Sequence, residues 1–339
     1  MFIKADTPPV ISIIVPVFNV QDYLSECLSS LADQTFNHSY EIILIDDCST
    51  DNSKTICESF VADHPGLARL ICLDKNSGVS VARNQGIRAA TGTYFAFVDS
   101  DDRLPANALE HLYSAAIQHQ ADVVKGNCIV FDEYKSRPAN HNVKNEKIYQ
   151  NEAIFAAFLQ HRDVRGHTWG KLFLRASFGH IVCPPNVTMA EDTLYCAEVF
   201  SQAKKLVLIN TCVYNYRLRA SGATGRKFHT CAYLWWLHSI ESCGHFVSNP
   251  TQQRHLKALQ IRTLLQLIKE ARSLQTEQLR TVLSEVMARQ QQWQLNIPAL
   301  KLALQIPPRV LFHFLRFTWE LKQLNARLRS NPGASSFQY

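Results

Sequence analysis

Over the first hundred residues the apolar positions come in short unbroken runs, each closed by polar or acidic residues, with helically spaced stretches between them. The runs are VISIIVPVFN (Val10–Asn19), EIILIDD (Glu41–Asp47), Ala68–Asp74 and Tyr94–Asp99. Runs of this length without alternation suit strands buried on both faces of a parallel sheet. Between the first two, Asp22 is placed to cap a helix with an apolar face of Tyr23, Leu24, Cys27, Leu28 and Leu31. A second helix is predicted from about Asn52 to Ala62, and a third over Val79–Ala90 after the turn Asn76-Ser77-Gly78. Four strands joined by three helices through short links predict a doubly wound, mostly parallel α/β sheet with helices on both faces.

Right-handed crossovers place strands one to three successively outward and return the fourth beside the first. The topological switch point then lies between strands one and four, where ligands bind beyond the carboxyl ends. YFAFVDSDDR (Tyr94–Arg103) ends there in three carboxylates, Asp99, Asp101 and Asp102, with Asp46 and Asp47 next door. Clustered carboxylates repel one another, and burial adds a desolvation cost. A hard divalent cation relieves both problems. The competing reading is an acidic turn capping the helix that starts near Pro105. No GxGxxG follows the first strand and no GxxxxGK[ST] occurs, so metal and side chains are left to hold a phosphate ligand.

Composition narrows the class. A chain of 339 residues, 46% hydrophobic and 19% charged, is expected to fold as a soluble protein of one large or two ordinary domains. Ten cysteines are scattered singly without a CxxC pair, and no secretory signal opens the sequence. A reduced, cytoplasmic setting fits better than a disulfide framework or a zinc site. No apolar run is long enough to span a bilayer. The net charge of +6 is uneven: residues 251–339 carry 13 Lys and Arg against 4 Asp and Glu, leaving the rest mildly acidic.

Seven segments carry a family likeness: SIIVPVFN, EIILIDDCSTDNS, NSGVSVARNQGI, FVDSDD, HTWGKLF, AEDTLYC and YNYRLRASGATG. In this order they resemble the family 2 inverting glycosyltransferases with the GT-A fold, over Val10 to about Gly225. The resemblance implies that Pro16, Phe18 and Asn19 border a nucleotide and that Asp47 accepts a hydrogen bond from uracil. A carboxylate capping the turn at Ser49–Asp51 is the alternative for Asp47. Arg83 would meet phosphate or an Asp of the same site, or form an ordinary ion pair. Asp101 would be the ligand of Mn²⁺ or Mg²⁺, with Asp99 on ribose or metal-bound water. Asp192 would be the base that deprotonates the acceptor, with Glu191 beside it; two acids in a first helical turn also simply favour the dipole. Glu191 would contact the acceptor, Trp169 would stack on an acceptor sugar or serve as core, and Arg217 and Arg219 would clamp the diphosphate or lie in a solvated loop. Ser221, Gly222 and Gly225 suit a hinge. Gly170 stands where the family more often has Asn, and Cys48 where it more often has Gly, a change expected to be harmless.

The resemblance fades after Lys227, and the expected division is a catalytic domain over 1–228, a helical region over 229–330 and a disordered tail over 331–339. VLFHFLRFTWELKQLNARLR (Val310–Arg329) reads as an amphipathic helix. It suits an anionic membrane surface, or else packing on its own domain or on a second subunit. The implied activity is metal-dependent transfer of one sugar from a UDP-sugar to a glycan acceptor, lipid-linked at the inner membrane face, in surface polysaccharide synthesis. No nucleic acid partner is implied. A sugar nucleotidyltransferase lacks support because no Gly-rich loop follows Val15; a non-catalytic nucleotide-sugar or membrane-binding module is the other alternative.

Overall fold

The computed structural model describes residues 8–187, 190–219 and 237–270, with side chains to 264, and the single residues 284, 288, 289 and 292. The hinge expected at Ser221–Gly225, the amphipathic segment Val310–Arg329 and the tail 331–339 lie outside the described residues. The chain divides into two compact units, Met1–Leu259 and Gln260–Tyr339. Every element that positions the site belongs to the first.

The four apolar runs become β1 (Ile11–Val17), β2 (Tyr40–Asp46), β3 (Ala68–Cys72) and β4 (Tyr94–Phe97), joined by α1 (Gln21–Ala32), α2 (Ser53–Asp63) and α3 (Val79–Ala89). β1 pairs in parallel with both β2 and β4, and β2 with β3, so the sheet begins β3-β2-β1-β4 as expected from the crossover rule. Side chains of β1 alternate between two cores. Ile11, Ile13 and Val15 pack under α1 (Leu24, Leu28, Leu31) and α4 (Ala108–His119), while Ile14 packs with Ala82 and Ile87 of α3. Helices therefore cover both faces. Asp22 does not cap α1: the N-cap position is Val20, without a side-chain bond, and Asp22 lies inside the first turn, where its charge suits the dipole.

Beyond β4 the sheet turns mixed. The remaining strands are β5 (Val123–Phe131), β6 (Ser136–Pro138), β7 (Lys147–Gln150), β8 (Lys171–Leu174) and β9 (Lys205–Arg217). The order continues β4-β8-β5-β9-β7, with β6 paired to β5. β8 runs antiparallel to β4 and β5, and β9 runs parallel to β5. α5 (Glu152–Gln160), α6 (Arg175–Phe178) and α7 (Glu191–Gln202) follow the strands, and a 3-10 turn at Cys243–Phe246 precedes α8 (Pro250–Glu270). The nine described cysteines are all free thiols. No helix among the described residues is long and apolar enough to cross a membrane.

Candidate active site

Three carboxylates close the β4 run, and each takes a different task. Asp102 is buried; its Oδ2 accepts from the Tyr214 hydroxyl at 2.7 Å and its Oδ1 from the Arg217 amide at 2.7 Å. It therefore fastens the end of β9 to the end of β4. Asp101 faces the Arg219 guanidinium, with Nε 2.6 Å from Oδ2. Burial, and then the Asp99 charge, raise the Asp101 carboxyl above its ordinary value even so. Asp99 meets Arg83 Nη2 at 3.2 Å.

The residues expected around a nucleotide gather at the ends of β1 and β2. Pro16 is buried in β1, while Phe18 is 44% exposed just beyond it. Asn19 sits at φ 47°, and its amide side chain braces the neighbouring loop: Oδ1 accepts from the Thr50 amide at 2.8 Å, and Nδ2 donates to Thr50 Oγ1 at 3.1 Å. Asp47 does not cap the Ser49–Asp51 turn. Its two oxygens accept the Ser77 and Gly78 amides at 2.7 and 2.8 Å, and the Ser49 amide points to Asp46 instead. A carboxylate has about four lone-pair directions, so Asp47 keeps acceptor capacity toward the crevice. Cys48 has φ 60°, in the left-handed region that favours glycine, so this departure from the family is not harmless.

Arg83 is the joint between the two halves of the site. Carried on α3 and buried, it bonds Asp99 through Nη2 and Glu191 through Nη1 at 2.7 Å. Arg83 thus meets an Asp of the same site, one of the contacts expected of it, and pairs with Glu191 as well. Glu191 opens α7 and leaves Ala190 in a left-handed conformation at its N-cap. Its carboxylate is directed to Arg83. Beside it Asp192 is half-buried, its Oδ1 accepting the Thr193 amide at 2.7 Å. Burial, and then the neighbouring Glu191 charge, lift the Asp192 carboxyl to about 7, against the opposing pull of Arg83.

Trp169 stacks on Tyr214 and Tyr216 with centroids 4.7 and 5.2 Å away at 16°, and lies 4.1 Å from the His167 ring. The indole is therefore packed among three of the protein's own rings. Arg217 is held too: its Nε donates to the Asp101 carbonyl at 2.8 Å, it pairs with Glu26, and its guanidinium lies over Tyr23 and Phe131. Arg219 shares Tyr23 as a platform at 5.2 Å. A pair of buried lysines, Lys125 and Lys171, lies on the adjoining strands β5 and β8. Reading the motifs missed Lys125; the signal was a lysine inside the apolar run VVKGN, where burial is costly unless something answers the charge.

Among the described residues no group of three or more His, Cys, Asp or Glu forms a cage for a metal ion. Asp101 still fits a cation on chemical grounds, being an oxygen donor whose ionised form its acidic neighbour disfavours. A cleft of about 800 Å³ lies elsewhere, between α5 and the start of α8, lined by Lys147, Glu152, Arg162 and His255 among others. Asp99, Asp101, Asp102, Glu191 and Asp192 lie outside it.

A model of the family "Glycosyl transferase family 2" matches residues 12–179. The glycosyltransferase GlyA of Streptococcus pneumoniae serotype 4 is 32% identical over 242 residues, covering 68% of this chain and 33% of GlyA. The minor teichoic acid biosynthesis protein GgaB of Bacillus subtilis is 27% identical over 231 residues, 68% of this chain and 25% of GgaB. The chain thus spans a third or less of these two relatives. Among solved structures, S. aureus TarS 1–349 in complex with UDP-GlcNAc superposes with a TM-score of 0.65 at 20% identity, covering 81% of this chain and 80% of that one. At that identity the likeness establishes the GT-A fold.

Proposed function

The chain belongs to glycosyl transferase family 2, and from that premise we propose that it is an inverting glycosyltransferase moving one sugar from a UDP-sugar to a hydroxyl of a glycan acceptor. The observation that carries the reading is the Arg83 bridge. It ties Asp99, at the donor end of β4, to the head of α7, which presents Asp192. An inverting displacement needs a base on the side opposite the leaving group, with a pKa near the operating pH. Asp192, lifted to about 7, meets that requirement. Its carboxylate takes the acceptor proton as the acceptor oxygen bonds to the anomeric carbon and the nucleoside diphosphate departs.

On the donor side, Phe18 and Asn19 border the nucleotide and Asp47 accepts from the uracil ring. Asp101 would hold Mn²⁺ or Mg²⁺, which neutralises the charge developing on the departing diphosphate. Arg219 moves from Asp101 to a phosphate oxygen when donor binds, and Trp169 contacts the acceptor sugar. TarS, solved with UDP-GlcNAc, supports a UDP-sugar as donor. GgaB, named for minor teichoic acid synthesis, supports a bacterial surface glycan as acceptor. A lipid-linked acceptor at the inner membrane face would agree with the basic stretch 251–339.

A thermal-shift screen of UDP-sugars with Mn²⁺ tests the reading, because a ligand specific to the folded state raises apparent stability by mass action. One UDP-sugar should raise Tm, and EDTA or Asp101→Ala should diminish the rise. Absence of a shift with every UDP-sugar, with Mn²⁺ or Mg²⁺, would reject the donor class.

A further inference from the structure

β5 and β8 set two lysines directly opposite each other, Lys125 against Lys171 in antiparallel register. Residues so paired project to the same face with Cβ atoms about 4.5–5.5 Å apart, and like charges there are destabilising. Both are nearly sealed from solvent, at 3% and 1% exposure. Among the described residues neither lies within ion-pair distance of a carboxylate. Lys171 Nζ donates to the His167 carbonyl, and Lys125 Nζ has no hydrogen-bond partner among the described residues.

The surroundings add more positive charge. The half-buried rings of His141 and His167 stand 4.7 Å apart. Burial, and then Lys125 and Lys171, push His141 down to about 3. Arg165 acts on both imidazoles in the same sense. Among the described residues the hydroxyl of fully buried Thr168 and His167 Nδ1 also lack partners. The nearest acids are spoken for: Asp163 pairs with Lys147, and Asp192 accepts the Thr193 amide. The cluster adjoins the catalytic helix, since the His167 carbonyl that takes Lys171 also accepts from Cys196, one turn into α7, at 3.5 Å.

We propose that Lys125, Lys171, His167 and Thr168 form an oxyanion site that takes a phosphate group of the acceptor and so places its hydroxyl beside Asp192. The proposal rests on the glycosyltransferase reading for its role, though not for the binding. Burial, and then the Lys171 charge, push Lys125 down to about 7, and burial lowers Lys171 too. An anion that holds both protonated must bring about two negative charges, which a phosphate monoester supplies together with three acceptor oxygens; a carboxylate brings one. The donor's diphosphate is assigned to the ends of β1 and β4, so acceptor phosphate and UDP should bind together.

Calorimetric titration of the whole chain with glycerol phosphate, at ionic strength matched with chloride, tests this. Binding is expected both with and without saturating UDP, and acetate should bind at least tenfold more weakly. Lys125→Met, close in volume and uncharged, should weaken glycerol phosphate at least tenfold and leave UDP affinity unchanged. In the wild-type chain the ring NMR signals of His141 and His167 should move with glycerol phosphate and stay still with chloride, a readout that needs no variant. Equal phosphate affinity in Lys125→Met, or unmoved histidine signals, would overturn the site. Displacement by UDP would assign these lysines to the donor, and equal acetate affinity would remove phosphate as the ligand class. Failure of UDP itself to bind would instead strike at the transfer reading and leave phosphate binding to stand or fall on its own titration.

Discussion

At the scale of single residues, three neighbouring carboxylates of one motif end up with three functions because their surroundings differ. Asp102 is spent on β9, Asp101 faces Arg219, and Asp99 faces Arg83. The motif and a contact of Arg83 with one of its acids were legible in sequence; the tasks of Asp101 and Asp102 were not, because their partners Tyr214, Arg217 and Arg219 lie more than a hundred residues away. Asp192 shows the same point in its energetics. Its folded-state carboxyl sits near 7 against an ordinary value of 3.8, so the unfolded chain loses that proton first and stability falls as pH rises from about 4 to 7. Asp192→Asn removes the penalty while keeping an acceptor for the Thr193 amide. Thermal melts should show no gain for the variant near pH 4, a gain growing by up to about 1.4 kcal/mol per pH unit, and a plateau above pH 7. Cys48 supplies a second residue-level expectation. With φ at 60°, Cys48→Gly should stabilise the fold by about 1 kcal/mol in urea denaturation.

At the scale of elements, the parallel half of the sheet was readable because both its faces are covered, which leaves unbroken apolar runs in β1, β2 and β4. The mixed half was harder. β9 runs from Lys205 to Arg217, longer than its sequence pattern alone announces. Its register shifts against β5 near Asn127 interrupt the pattern that would have extended the reading. Helix α3 crosses β1 closely enough that a Cβ at Gly86 would lie 2.2 Å from Ile14 Cγ2. Gly86→Ala should therefore cost about 1–3 kcal/mol through overpacking, despite the better helix propensity of alanine. The same substitution shifts α3 and with it Arg83, so UDP affinity and transfer should fall together; a variant of unchanged stability would contradict this packing.

At the scale of the whole molecule, α3, β4 and α7 converge so that one buried arginine links the donor end to the proposed base. The basic stretch 251–339 carries the expectation of surface binding, at about 1 kcal/mol per basic residue close to anionic headgroups. Co-sedimentation with anionic vesicles at low salt should weaken with added salt and on truncation before Pro307; unchanged binding after truncation would rule the segment out as the anchor. The central claim is that Asp192 is the base of a UDP-sugar transfer whose donor binds independently of it. Its most direct test pairs UDP calorimetry with a transfer assay on Asp192→Asn, using the donor found in the thermal-shift screen and phosphate-bearing bacterial surface glycan as acceptor. UDP should bind the variant within about twofold of wild type while transfer falls by at least a hundredfold, within the usual range for loss of a general base. Full transfer by Asp192→Asn would contradict the account.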